Sequence, residues 1–170
     1  MGEAVRVRLA EARDDQAVGE ILVAGYVTAY ARKMPQVVVG EERRATLRDV
    51  GSKRKSATVL VVELDGRVAG TVAIWRPGSP ESEAWVENAA DLRHLAVAPE
   101  LQGHGLARPL LDEAERIARE EWKVDAICLH VRRGNLGVAR LYQSRGYVRS
   151  PRGDLTYPEV ELDAYLLRFK

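Results

Sequence analysis

Apolar and polar residues alternate along "AVRVRLA" (residues 4–10), the period-two pattern of a half-buried strand. Asp14 and Asp15 follow, and Val18, Ile21, Leu22 and Gly25 then recur at helical spacing, so that either aspartate can cap a helix N-terminus. "YVTAYARKMPQ" and "GEERRATLRDVG" predict a further helical stretch interrupted around Pro35, and the basic "SKRKS" (residues 52–56) reads as a solvated link. "ATVLVVEL" and "RVAGTVAIW" flank Asp65-Gly66, a dipeptide suited to the primed two-residue turn, and predict a β-hairpin. "RPGSPESE" is a loop by composition. "ADLRHLAV" (residues 90–97) is a strand that stops before Pro99. Leu106, Leu110, Leu111, Ala114, Ile117, Ala118 and Trp122 then mark one face of a long helix. "DAICLHV" (residues 125–131) is a continuous apolar run, as a central strand requires. "NLGVARLYQSRG" predicts a short helix closed by Gly146, and "VELDAYLLRF" a last strand.

This order predicts an α/β fold: a mixed, mostly antiparallel sheet with helices on both faces. The strand at residues 90–97, the long helix and the strand at residues 125–131 form a right-handed βαβ unit, which makes those two strands a central parallel pair. No internal repeat, low-complexity segment or composition break divides the chain, so residues 1–170 read as a single domain.

Composition narrows the chemistry. Lys plus Arg number 26 against 25 for Asp plus Glu, and the net charge of +1 gives no global reason to expect nucleic acid or an anionic membrane as partner. Cys128 is the single cysteine, which excludes an internal disulfide framework and any multi-cysteine metal site. No apolar run approaches the ~20 residues of a membrane span, and the first residues lack an apolar signal core. A reducing, cytoplasmic setting is the expectation.

The stretch "LAVAPELQGHGLARPLL" passes from strand through a glycine-studded turn into the long helix. Gly103 and Gly105 allow positive φ and close approach of the backbone to a ligand. Pro109 is tolerated only in a first helical turn, which places the helix start near Gly105 or Leu106. Free N–H groups therefore belong to Gly103, His104, Gly105, Leu106, Ala107 and Arg108, and the helix dipole adds partial positive charge there. Together they suit a phosphate.

Gln102, Gly105 and Ala107 form a QxxGxA pattern between strand and helix, and this resembles the signature of the GNAT superfamily of acetyl-coenzyme A-dependent N-acetyltransferases. It is neither a Rossmann fingerprint nor a Walker loop. "LAV" before Pro99 looks like the family's fourth strand, and Asn135, Tyr142, Gly146 and Tyr147 are similar to its asparagine, tyrosine and glycine-aromatic segment. The resemblance covers nearly the whole chain, most specifically residues 91–147, and implies a GNAT-like fold.

The resemblance implies roles. Leu95, Ala96 and Val97 would hydrogen-bond the pantetheine arm of acetyl-CoA like an added strand, and Gln102, Gly103, His104, Gly105, Leu106, Ala107 and Arg108 would hold its pyrophosphate. Asn135 would contact the cofactor, and Tyr142 would lie near its sulfur as the acid that protonates the leaving thiolate. A phenol of pKa ~10 holds a proton at neutral pH, while the thiolate's conjugate acid lies at ~8.5. The acceptor amine, of pKa ~10.4 as an alkylamine, must lose a proton to a base or a water path. Many family members place a carboxylate at the position of Asp91 or of Arg93; the arginine departs from that pattern. Asp91, then His94, then Glu87 are the base candidates. Trp75, Trp85, Tyr26 and Tyr30 are candidate walls for the acceptor, a small molecule or a protein amine. Cys128 reads as a small core residue, and His130 has no partner at metal-ligand spacing, so no metal is expected. The expected activity is acetyl transfer from acetyl-CoA to a primary amine by direct attack in a ternary complex. The alternative is a catalytically weak acyl-CoA-binding module, and a homodimer is compatible with either.

Overall fold

The structure, a computed structural model, describes residues 4–28, 34 and 40–170. They group into two compact units, one taking the described residues up to Ile74 with His94–Ala114, the other Trp75–Arg93 with Glu115–Lys170.

In the first unit, strand β1 (Val5–Leu9) runs antiparallel to β2 (Thr58–Leu64) in the register Val5 opposite Leu64 to Leu9 opposite Leu60. β2 returns as β3 (Arg67–Trp75), with a register shift at Val62 and Glu63. The connecting Asp65 and Gly66 have φ of 51° and 82°, the left-handed pair that a type I′ turn demands. β4 (Ala89–Val97) brings its later residues beside β3, and just past its end the Ala98 N–H donates to the Ala69 carbonyl at 2.8 Å.

A 3-10 turn (Ala12–Asp14) leads into α1 (Asp15–Val23), which continues as a π-helical turn (Ala24–Thr28). The expected aspartate cap is replaced by ion pairing. Asp14 accepts from Arg8 at 2.7 and 3.0 Å and from the Glu11 N–H at 2.7 Å, while Asp15 takes both arms of Arg54 at 2.6 and 2.8 Å. α2 (Glu41–Arg48) and α3 (Val50–Ser56) follow. The basic pentapeptide is thus helical rather than a loop: the Asp49 side chain caps α3 by accepting from the Ser52 N–H at 3.4 Å, and Val50 is fully buried. Val18, Leu22, Leu47, Val50, Val61 and Ala96 form this unit's core. The interruption expected at Pro35, and Tyr30, lie outside the described residues.

After a 3-10 turn (Pro99–Leu101), α4 (Ala107–Arg116) begins with Pro109 in its first turn and continues as a π-helical turn (Ile117–Glu121). In the second unit, β5 (Ala126–Arg132) is parallel to the start of β4, from Ala89 opposite Ala126 to Leu92 opposite Leu129, the parallel pair that the βαβ argument requires. α5 (Leu136–Ser144) is closed by Gly146 at φ 100°. The short β6 (Val148–Arg149) and β7 (Leu155–Tyr157), which the pattern does not reveal, both pair antiparallel with β8 (Val160–Arg168), and β8 runs antiparallel to β5. Among the described residues no helix is long and apolar enough to cross a membrane.

Candidate active site

Strand β4 changes character part-way along. Residues 89–92 are buried and in register with β5, and that register stops at Leu92. His94 then takes φ 60°. A left-handed backbone costs an L-residue roughly 1–2 kcal/mol, so the surroundings must hold it there. Two contacts do so. Lys53 Nζ, on α3, lies 3.1 Å from His94 Nδ1, and the Tyr26 ring meets the imidazole edge-on at a centroid distance of 6.2 Å. Burial, reinforced by the positive charge of Arg43, lowers the Lys53 pKa from 10.5 to about 8. Arg43 also stands over the Tyr26 ring at 6.0 Å. Sequence reasoning missed Lys53 because a charge run reads as solvated. Within α3, Lys53 lies three positions after the buried Val50, on the same face of the helix.

Beyond Leu95, Ala96 and Val97 the chain enters the glycine turn. Gly103 and Gly105 have φ of 89° and 70°, and a Cβ built at either would meet nothing within 4 Å. The glycines therefore serve the backbone conformation, and the space beside them is open. Gln102, His104 and Arg108 are exposed, whereas Leu106 at 2 % exposure anchors the turn to the core. His104 Nδ1 sits 2.9 Å from the Leu101 carbonyl, within its own turn. The first N–H groups of α4 have no intrahelical acceptor, and the dipole's positive end faces the turn.

Asp91 is fully buried. Its Oδ2 accepts from Arg93 Nε and from the Glu83 N–H, each at 2.8 Å, while Oδ1 is buried with no hydrogen-bond partner. Arg93 also pairs with Glu83 at 3.2 Å and stacks over Trp75 at 4.4 Å. The residue that departs from the family pattern is thus the counter-ion of the one that keeps it. Glu87 is exposed.

On α5, Tyr142 is 5 % exposed and packs edge-on against Tyr147 at 5.4 Å. The Tyr147 hydroxyl donates to Glu115 Oε2 at 3.1 Å, and Glu115 is clasped by Arg145 at 2.8 and 2.9 Å. Burial and the Glu115 charge push the Tyr147 pKa well above its usual 10.0, so that this phenol stays a proton donor to Glu115. Asn135, at the N-cap of α5, is 8 % exposed; its side chain makes no cap, and its Oδ1 is buried without a partner.

Other candidates take structural places. Cys128 is fully buried, and burial raises its pKa. His130 Nε2 lies 2.7 Å from the Gly153 carbonyl, with the Trp85 ring edge-on at 5.2 Å. A Cβ at Gly153 would overlap that indole, and Trp85 Nε1 donates to Ser150 at 3.1 Å, so Trp85 is a packed residue. Among the described residues, no three His, Cys, Asp or Glu side chains are grouped to hold a metal ion.

The family model described as "Acetyltransferase (GNAT) family" matches residues 16–147. The chain belongs to the GNAT acetyltransferases. No curated protein matches it. Solved GNAT structures share its fold along almost its whole length. A GNAT-family acetyltransferase from Staphylococcus aureus Mu50 is 15% identical with a TM-score of 0.73, covering 98% of this chain and 100% of its own. The PaiA N-acetyltransferase of Thermoplasma acidophilum, solved with coenzyme A, is 18% identical with a TM-score of 0.69, covering 95% and 98%. YncA from Salmonella typhimurium, solved with its cofactor acetyl-CoA, is 22% identical with a TM-score of 0.62, covering 97% and 94%. The mixed sheet with its parallel β4–β5 pair is therefore the GNAT fold in this chain.

Proposed function

We propose that this GNAT protein transfers an acetyl group from acetyl-CoA to a primary amine by direct attack in a ternary complex, and that residues 1–170 act as one catalytic domain. The observation that carries the reading is the pair of left-handed glycines opening α4 with empty space beside them. The buried, unpartnered Oδ1 of Asn135 is a second sign of fit, since a buried polar atom without a partner costs about 1–3 kcal/mol unless a ligand satisfies it. Acetyl-CoA supplies the thioester carbonyl and the thiolate leaving group. Gln102, Gly103, His104, Gly105, Leu106, Ala107 and Arg108 hold the pyrophosphate. Leu95, Ala96 and Val97, past the end of the β5 register, offer backbone to the pantetheine, and Asn135 contacts the cofactor. Tyr142 holds the proton that the thiolate needs. Tyr147 is committed to Glu115 and does not compete for that role.

For the base, His94 is better placed than Asp91: the imidazole is partly accessible at a kink, whereas the carboxylate is closed in with Arg93. The acceptor is a small-molecule or protein amine. The single buried cysteine suits a reducing, cytoplasmic setting. The closure of Asp91 by Arg93 also favours a second reading, an acyl-CoA-binding module with weak catalysis.

Calorimetric titration with acetyl-CoA, against ATP and NADPH, is the test. Stoichiometric binding of acetyl-CoA alone supports the site, and no binding overturns it. Thiol release across an amine panel then separates enzyme from binding module. In the enzyme, Tyr142→Phe lowers the rate by roughly 10²–10⁴ at unchanged acetyl-CoA affinity; an undiminished rate removes Tyr142 as the acid.

A further inference from the structure

Around α1, α2 and α3 the carboxylates are already committed. Asp15 takes Arg54 at 2.6 Å, Glu20 takes Arg48 at 3.6 Å, Glu41 takes Arg44 at 2.8 Å, and Glu63 on the neighbouring β2 takes Arg8 at 2.6 Å. Asp49 accepts from the Ser52 N–H at the start of α3, and Glu42 is exposed. Among the described residues no carboxylate pairs with Arg43 or acts on Lys53. The chain between α1 and α2 supplies none either: residues 24–40 contain no Asp or Glu, and Arg32 and Lys33 add charge of the same sign.

The two cations left over belong to one cluster. Arg43 stands over the Tyr26 ring at 6.0 Å, Tyr26 lies edge-on to His94 at 6.2 Å, and Lys53 Nζ is 3.1 Å from His94 Nδ1. All four residues belong to the first unit, and His94 directly precedes Leu95, Ala96 and Val97. A partly buried lysine beside an arginine, with no counter-ion, is held at a cost: burial and the Arg43 charge bring its pKa down to about 8. An oxyanion brought to the cluster supplies the missing charge. Lys53 offers it an ammonium, and Arg43 a planar fork of N–H donors that matches a carboxylate or a phosphate. The same two charges repel any second ammonium group on the acceptor.

We propose that Arg43 and Lys53 form an anion subsite for the acceptor, which is therefore a small amine that also carries a carboxylate or a phosphate. This rests on the acetyltransferase reading and adds the substrate class to it. Lys53 is only partly accessible, which favours a compact acceptor whose amine and anion lie close together. Binding acts back on the lysine: an anion beside it stabilises the ammonium, so its pKa rises from about 8 toward the ordinary 10.5. Anion affinity is accordingly full below about pH 8 and falls as pH rises above it.

The first test follows the titration of Lys53 by NMR in the full chain, with Lys53→Arg identifying its signal, in acetate and in chloride at equal ionic strength. The midpoint should lie near 8 in chloride and higher in acetate, and Arg43→Gln should raise the chloride value by removing the repelling charge. The same midpoint in both salts overturns the subsite. The second test measures thiol release at saturating acetyl-CoA for matched amines with and without the anion: phenylalanine against phenethylamine, β-alanine against ethylamine, and O-phosphoethanolamine against ethanolamine. In the best pair the anionic member should lead by roughly 10–100-fold in kcat/KM. Lys53→Met, which keeps the packed stem, should collapse that ratio with acetyl-CoA affinity unchanged. A lead for the phosphate pair over the carboxylate pairs identifies the anion as phosphate. A preference for the partners without the anion or for spermidine, or a ratio that survives Lys53→Met, overturns the subsite, and the acetate titration decides alone if none of these amines turns over. Because that titration needs neither cofactor nor amine, its failure is distinct from failure of acetyl-CoA to bind, which would overturn the acetyltransferase reading instead.

Discussion

The two ends of β4 hold ionisable groups within three residues of each other and treat them in opposite ways. At the start, Asp91 is fully buried, saturated on Oδ2 by Arg93 and the Glu83 N–H, in a regular stretch paired with β5. Further on, His94 is partly accessible, strained in backbone, and in contact with a lysine whose charge is discouraged. The first arrangement is what a stabilising group needs: a fixed charge with its partner in place. The second holds a partly accessible ring on a strained backbone and spends stability to do so. A short run of acid, arginine and histidine is therefore two arrangements, one that holds the strand and one that offers the base candidate of the proposed reaction.

The largest effect should come from breaking the first arrangement. Asp91→Ala takes the buried acceptor from the Glu83 N–H and from Arg93, which keeps its contact with Glu83, and denaturant unfolding should show a loss of roughly 1–3 kcal/mol. A loss below about 1 kcal/mol would mean that the pair does not hold the strand. Next, His94→Gly relieves the left-handed backbone while deleting the ring, so stability should move by less than about 1 kcal/mol. Turnover should nevertheless fall by about 10²-fold, and a variant that keeps its rate would erase the contrast. A smaller effect sharpens it: replacing the pair by apolar residues, Asp91→Leu with Arg93→Met, should recover most of the stability lost in Asp91→Ala, because a buried ion pair and a well-packed apolar substitute are close in free energy. If the double variant is stable yet inactive, Asp91 is more than a structural anchor.

The least effect concerns acid. Asp14, held by Arg8, and Asp154, held by Arg149, both titrate below the ordinary 3.8. Their contribution to stability is complete above that value and is lost as pH falls through the depressed ones, because the unfolded state then binds protons first. Circular dichroism between about pH 5 and pH 2 should show a downturn that Arg8→Met removes in part. A downturn unchanged by that substitution would place acid sensitivity elsewhere.

Much of this is legible in the sequence. Asp65-Gly66 specified the hairpin, because few dipeptides accept two left-handed residues in succession, and Pro109 located the start of α4 within two positions. The glycine turn and the asparagine–tyrosine segment pointed to the family. What escaped was set by tertiary contact. Lys53 looked solvated because its burial depends on which face of α3 meets the core. Arg8, Asp14, Asp15 and Arg54 pair across 6 and 39 positions, so a capping role for the aspartates was the only local reading available. The fate of Asp91 could have been read: residues two apart on a strand share a face, and Arg93 is two residues on. β6 and β7 span two and three residues, too short for alternation to register.

Cys128 has a practical consequence. It is the chain's only thiol, it is fully buried on β5, and burial holds it in the unreactive protonated form. A disulfide dye added to the native protein should stay colourless. Colour that grows during a reaction would then count turnovers of coenzyme A directly, and colour without substrate would report unfolding.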